Sequence, residues 1–441
     1  MRKLFAGVLA VSLIVISSLS VAACGDLTKP KSSVLGKPKA VTQLSNEERK
    51  AGSVRIICES AEKFAAEFAP IVYKDYKRES NFVVAPVSVY MALSLAAQCS
   101  VGNTRSEILS ALGVTYEQLN GGFADYYRSL FNESKYNGKT TGLTAFSNSI
   151  WLDSNLNAKQ DCIETLADNY YCYSYSADFN NDNKVANKAV REFVKDNTKG
   201  LIDKNFELSR DTLFALINTL YFKSIWNCFG DELDFTDNEY DFINYNETTT
   251  NTKLLRGYYC GGKIYEDKAY KTFFTSTYGG NKIKFILPND GYSVDDVFTC
   301  ENIEKINSVT DYNAIDDVNK IKYYTRCLFP EFSAVYDSDI KALLTKIGIN
   351  DLFDNALCDY TALTEDGAYC SQVIHSAKLE VNKSGIEGAA VMVIENAPTS
   401  VGPEPDIYEN VYLDFILDKS FGFILTDSYD NTLFSGVIKS I

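Results

Sequence analysis

The 441-residue chain holds one histidine, His375, two tryptophans and three methionines. A single histidine excludes zinc sites built on histidine pairs, and no Cys-x-x-Cys pair stands in for them. A Ser-His-Asp or Cys-His hydrolase would have to use His375 as its base. That residue sits in SQVIHSAKLEVN, residues 371–382, where Val373, His375, Ala377, Leu379 and Val381 fall on one face of an alternating strand. Such a setting favours a hydrogen-bonded core histidine over a catalyst. Gly-x-Ser-x-Gly elbows, phosphate-binding glycine loops and dinucleotide fingerprints are missing as well. Carboxylates abound, but none pair off in a way that marks a glycosidase. The expectation is a protein that is not an enzyme and uses no cofactor and no metal.

A basic stripe is also lacking. With 58 acidic and 43 basic residues the formal charge is −15, which opposes a phosphate backbone, so no nucleic-acid partner is expected. Residues 53–441 contain no Gly/Ser or Pro-rich linker, no fixed-period repeat and no low-complexity tract, which predicts one large domain over 47–441. The hydrophobic fraction of 46% fits an ordinary globular core.

The N-terminus is distinctive. Arg2 and Lys3 precede an apolar stretch from Leu4 to Val15, and small residues lead to Val21-Ala22-Ala23-Cys24. The apolar run is short for a membrane-spanning helix of about 20 residues. This pattern resembles a bacterial lipoprotein signal, which implies a signal peptide over 1–23, lipidation of Cys24, and a location on the extracellular side of a bacterial membrane. Residues 24–46, polar with two Lys-Pro pairs, then read as a lipid-attached tether. The ten cysteines after Cys24 are scattered, and in a chain this long they read as small packing residues, with disulfides left open.

Along the chain, Ile57, Ala61, Phe64, Phe68 and Val72 have helical spacing within 53–77, and Val89–Ala97 is a nearly continuous apolar helix. Thr104 and Glu107 have capping-box spacing for a further helix. Residues 183–200 read as a surface helix ended by Gly200. Residues 212–226 and 282–288 read as buried strands, and 420–438 as a hairpin around Asp430-Asn431. Helices cluster early and strands late, which predicts an α+β fold with large antiparallel or mixed sheets.

One stretch is in local conflict. In KSGIEGAAVMVIENAPTSVGPEP, residues 383–405, the positions Ile386, Gly388, Ala390, Met392 and Ile394 alternate as an uncharged strand face, with Glu387, Ala389, Val391, Val393 and Glu395 on the other. Pro398, Pro403 and Pro405 then demand an exposed loop. Conflicts between burial and exposure tend to mark function.

Several segments, in order, resemble the serpin family of serine protease inhibitors. NFVVAPVSVYMALSLAAQCSVGNTRSEIL, INTLYFKSIWNCF, FPEFSAVYDSDIKALLTKIGINDLFD and SFGFILTDSYDNTLFSGVI carry the resemblance, which runs from about Ser53 to Ile441. It implies about nine helices packed around three β-sheets with an exposed reactive-centre loop. The hinge is then Gly385, Ile386, Glu387, Gly388, Ala389 and Ala390. The family's residue count places the scissile bond at Thr399–Ser400, flanked by Ala397 and Pro398, with Val401 the next candidate. Asn218 and Trp226 match positions at the top of the main sheet where insertion begins, the breach. Ser88 and His375 match the polar cluster beneath it, the shutter, where Ala85 replaces a usual serine.

The resemblance further implies a monomer that traps a serine protease covalently. The protease cuts the loop, and the loop then enters the main sheet before the acyl-enzyme can hydrolyse. A small β-branched Thr399 points to elastase-like proteases. Ile386 for an expected Thr or Ser, and Lys383 for an expected Glu, keep open the alternative of a non-inhibitory binding protein or plain substrate.

Overall fold

The computed structural model describes residues 32–45, 47–76, 79–136, 139–227, 232–309, 312–370, 373–386 and 408–441. Cys24 and residues 387–407, with the expected scissile bond and most of the expected hinge, lie outside this set. The chain opens with strand β1 (Ser32–Gly36), helix α1 (Gly52–Asp75), strand β2 (Phe82–Val84) and helices α2 (Pro86–Cys99) and α3 (Gly102–Leu112). Strands β3 (Lys139–Asp153) and β4 (Cys172–Ala177), helix α4 (Asn183–Asn197) and strand β5 (Phe214–Ile225) follow. Then come β6 (Cys260–Gly261), β7 (Lys282–Pro288), β8 (Ile321–Phe329), β9 (Phe332–Asp339), β10 (Ile374–Asn382), β11 (Gly385–Ile386), β12 (Glu409–Ile416), β13 (Phe421–Thr426) and β14 (Thr432–Ile438). The described residues form nine α-helices in all, three large sheets and one two-stranded ribbon. This is the expected α+β architecture.

The eight-stranded main sheet has the order β1-β4-β3-β5-β11-β10-β9, with Asn132–Tyr136 added beside β3. Part of the stretch expected to be a tether is therefore a strand of the domain. Ser32–Gly36 pairs antiparallel with β4 along the sheet edge, and Leu44 is buried. The six-stranded sheet places β7, β13, β14 and β2 side by side. Its β13–β14 hairpin turns through Asp430 at φ 65°, while the Asp427 carboxylate accepts the Tyr429 and Asn431 N–H groups.

Helix α2 shows why the core sits where it does. Every residue of it except Ala92 is buried, since its apolar residues surround the axis instead of forming one stripe. It lies between the main sheet at β5 and the second sheet at β14. Helix α1 buries the expected face of Ile57, Ala61, Phe64, Phe68 and Val72.

The capping box at Thr104 and Glu107 does not form. Helix α3 begins earlier, at Gly102, without a side-chain cap. Thr104 Oγ1 instead accepts the Asp359 N–H at 3.0 Å, and the Glu107 carboxylate accepts those of Asn350 and Asp351 at 2.7 and 2.8 Å. Tertiary demand from the 350–359 loop has taken both side chains. All nine described cysteines outside the signal region are free, with Cys99, Cys162, Cys172 and Cys327 buried as packing residues.

Candidate functional site: a seam in the main sheet

Strands β5 and β10 lie on either side of β11 and are not paired with each other among the described residues. Among the described residues, two close the sheet between them. Gly385 pairs with Ile225 and Asn382, and Ile386 with Ser224 and Val381. Because β11 is antiparallel to both neighbours, β5 and β10 run parallel to each other, as the walls of a slot for one antiparallel strand.

Gly385 fits there for a steric reason. A Cβ at that position would stand 2.4 Å from the Ser224 carbonyl oxygen, inside any van der Waals limit. Ile386 is fully buried. The entry is clasped by Trp226, which donates its indole N–H to the Asn382 carbonyl at 2.7 Å and packs edge-on against Phe329 at 5.5 Å. Polar groups fix the chain just before the hinge. Lys383 pairs with Glu232 at 2.5 Å, Ser384 Oγ donates to the same carboxylate at 2.9 Å, and the Leu233 N–H donates to the Lys383 carbonyl at 2.8 Å. The bond from Lys383, then that from Ser384, holds the Glu232 carboxyl below its ordinary range. Lys383, noted as a departure from the family pattern, thus has an acidic partner.

Below the clasp the seam opens on both faces. On the core side a cleft of about 50 Å³ is lined by Ser88, Leu93, Leu216, Asn218, Ile374 and His375. Behind it, on the side of α4, a second of about 70 Å³ is lined by Phe206, Ile217, Asn218, Thr219, Ile374 and Ser376. Both strands contribute to both clefts.

The family resemblance sets Asn218 beside Trp226 at the top of the sheet. The structure places Asn218 on the core-side cleft with Ser88 and His375, eight residues along β5 from Trp226. Its Nδ2 donates to Asn148 Oδ1 at 2.7 Å, while its Oδ1 is buried without a hydrogen-bond partner among the described residues. His375 occupies the apolar strand face expected for it, with Ala377, Leu379 and Val381 buried beside it. Its Nε2 accepts the Ala85 backbone N–H at 3.2 Å. Position 85 lacks a hydroxyl, and its main chain meets the ring. Burial lowers the His375 pKa to about 4, with Asp337 opposing the shift, so the ring is neutral at pH 7. An imidazole that accepts at Nε2 in this way has the character of a core residue.

No described helix is long and apolar enough to cross a membrane, and no three described His, Cys, Asp or Glu side chains group as metal ligands.

The family model described as Serpin (serine protease inhibitor) matches residues 59–440. The chain belongs to the serpin family. Among similar proteins, alpha-1-antiproteinase F of Cavia porcellus is 27% identical over 396 residues, covering 85% of this chain and 89% of that protein. An alpha-1-antitrypsin-like protein, GS55-MS, of Ictidomys tridecemlineatus is 26% identical over 368 residues, covering 80% and 84%. The same fold is seen in the thermophilic serpin tengpin in its native state, with a TM-score of 0.68 at 20% identity over 92% of this chain and 97% of that one. Thyroxine-binding globulin complexed with thyroxine has a TM-score of 0.69 at 22% identity, over 87% and 99%.

Proposed function

We propose that the chain is a serine protease inhibitor in which a cut in the 387–407 segment lets its upstream part continue β11 down the seam. The observation that carries this reading is the seam itself, which among the described residues is closed by Gly385 and Ile386 alone. Extending their register sets residues 387–396 against residues 223–214 of β5, and 387–393 against 380–374 of β10. Residues cross-paired in a sheet share a face. Ile386, Gly388, Ala390, Met392 and Ile394 would then fall on the core face with Ser224, Phe222, Leu220, Asn218 and Leu216. Glu387 and Glu395 would fall on the outer face. No charge enters the core, and the hinge substitutions remain compatible with insertion.

Insertion of ten residues carries the cut end about 33 Å along the sheet. The downstream half stays with β12, in a different sheet. A protease acylated by Thr399 would be dragged with the upstream half and lose the geometry that deacylation needs. Elastase-like proteases, an anchor through Cys24 and action outside a bacterial membrane complete the proposal, resting on Thr399 and the N-terminal pattern. The competing reading, a binding protein or plain substrate, draws on the likeness to thyroxine-binding globulin and on Ile386.

Incubation of the full chain with pancreatic elastase, followed by denaturing electrophoresis and mass determination of the released peptide, decides between them. A covalent complex and a peptide starting at Ser400 are expected. Complete cleavage without a complex would reject inhibition of this protease.

A further inference from the structure

The five-stranded sheet displays an aromatic surface that the seam does not use. Tyr324 of β8 lies opposite Tyr412 of β12, and Gly261 of β6 lies opposite Tyr324 on the other side. The Tyr324 and Tyr412 rings stack at 5.4 Å and 20°, and Tyr259 meets Tyr412 edge-on at 5.0 Å. Arg326 lies over Tyr259 at 4.8 Å and grips Asp414 through two bonds of 2.7 and 3.0 Å. On a strand, Tyr324 and Arg326 share one face, while Thr325 and Cys327 point the other way and are buried. Tyr412 is nevertheless 58% exposed and Tyr259 40% exposed.

Three tyrosines and an arginine held in fixed mutual positions have the composition of a contact hot spot. Tyrosine offers a large amphipathic area with little rotamer entropy to lose, and the ring stacking and the Arg326–Asp414 pair have already fixed the side chains. Their position selects the partner. Tyr412 stands three residues into β12, the strand into which the 387–407 segment returns. It lies thirteen residues on from Thr399, a contour of at most about 47 Å. A globular domain of about 200 residues is itself about 40 Å across. A protease holding the scissile bond is therefore tethered at a distance comparable to its own width from this face.

We propose that the Tyr259–Tyr324–Tyr412–Arg326 face is a second contact surface for the protease that engages the loop, an inference that rests on the function proposed above. It gives the inhibitor selectivity beyond the few residues around the scissile bond, because a protease that accepts Thr399 but cannot pack against the tyrosines is captured more slowly.

The test compares the second-order rate of loop cleavage and complex formation by pancreatic elastase for the wild-type chain and for the variants Tyr412→Ala and Tyr259→Ala/Tyr412→Ala. Thermal melts confirm folding, and a free peptide of residues 387–407 provides a substrate without the face. The double variant is expected to react at least about tenfold more slowly than wild type and to approach the rate of the free peptide. Equal rates in folded variants and wild type would overturn the second surface while leaving the loop reading intact. No cut within 387–407 in the wild-type chain would overturn both. Wild type sedimenting as a dimer, with the variants monomeric, would assign the face to self-association and also overturn the proposal.

Discussion

Trp226 reaches across the head of the seam to the carbonyl of Asn382. It sits immediately after β5, and its acceptor is the last residue of β10, so one indole N–H joins the two walls of the seam. Replacing Trp226 by Phe removes the donor and strands a carbonyl in a largely buried site. A loss of about 1–3 kcal/mol in stability toward denaturant is expected, together with faster hydrogen exchange in β11. Unchanged exchange at Ile386 would show that the clasp does not hold the seam.

Gly385 makes the complementary point on steric grounds. The Gly385→Ala variant forces a methyl group against the Ser224 carbonyl, so β11 must shift or detach. The expected cost is about 1–3 kcal/mol, measured from urea midpoints at constant slope.

How legible the molecule is from its sequence varies by element. The buried face of α1, the all-round burial of α2 and the alternation that puts His375 inward are all periodic signals carried by neighbouring residues. The β13–β14 hairpin is announced by Asp430-Asn431. The misses concern contacts between residues far apart in the chain. Asn218 was grouped with Trp226, yet its neighbours Ser88 and His375 come from α2 and β10 and depend on strand order. Thr104 and Glu107 have the spacing of a cap, but a loop some 250 residues later claims them. Ser32–Gly36 is too polar to advertise itself as a strand, because an edge strand buries little. The slot between β5 and β10 has no local signature, because it is a pairing absent among the described residues.

His375 makes the seam sensitive to acid. Its pKa is about 4 in the folded chain against about 6.5 unfolded, so between those values the unfolded state binds more protons. Stability from this group is full above pH 6.5, falls as the pH drops toward 4 and levels off below. Between pH 7 and 4.5 the loss is about 2 kcal/mol. Glu62 acts in the opposite sense. Burial raises its carboxyl to about 7, so its contribution is full below about 4.5 and lost as the pH rises through 7. Denaturation curves of wild type and His375→Gln at the two pH values isolate the histidine. The variant should lose about 2 kcal/mol less, and equal losses would contradict the assigned shift.

The register extended from β11 predicts which loop positions tolerate charge. Ala390→Arg puts a guanidinium on the core face opposite Leu220, where burial without a partner is prohibitive. The loop should still be cut at the wild-type rate, while the yield of covalent complex falls at least about tenfold. Glu395→Arg, on the outer face, should leave the yield near wild type. Equal effects of the two substitutions would refute the register.

The most direct test of the whole account is the melting temperature of the chain before and after a single cut within 387–407. About ten newly paired residues at about 1 kcal/mol per hydrogen bond, at roughly 1 °C per kcal/mol for a chain of this size, predict that the cleaved form melts about 10 °C or more above the intact one. A cleaved form that melts at or below the intact temperature would mean that the seam does not accept the loop, and the inhibitory mechanism would fall with it.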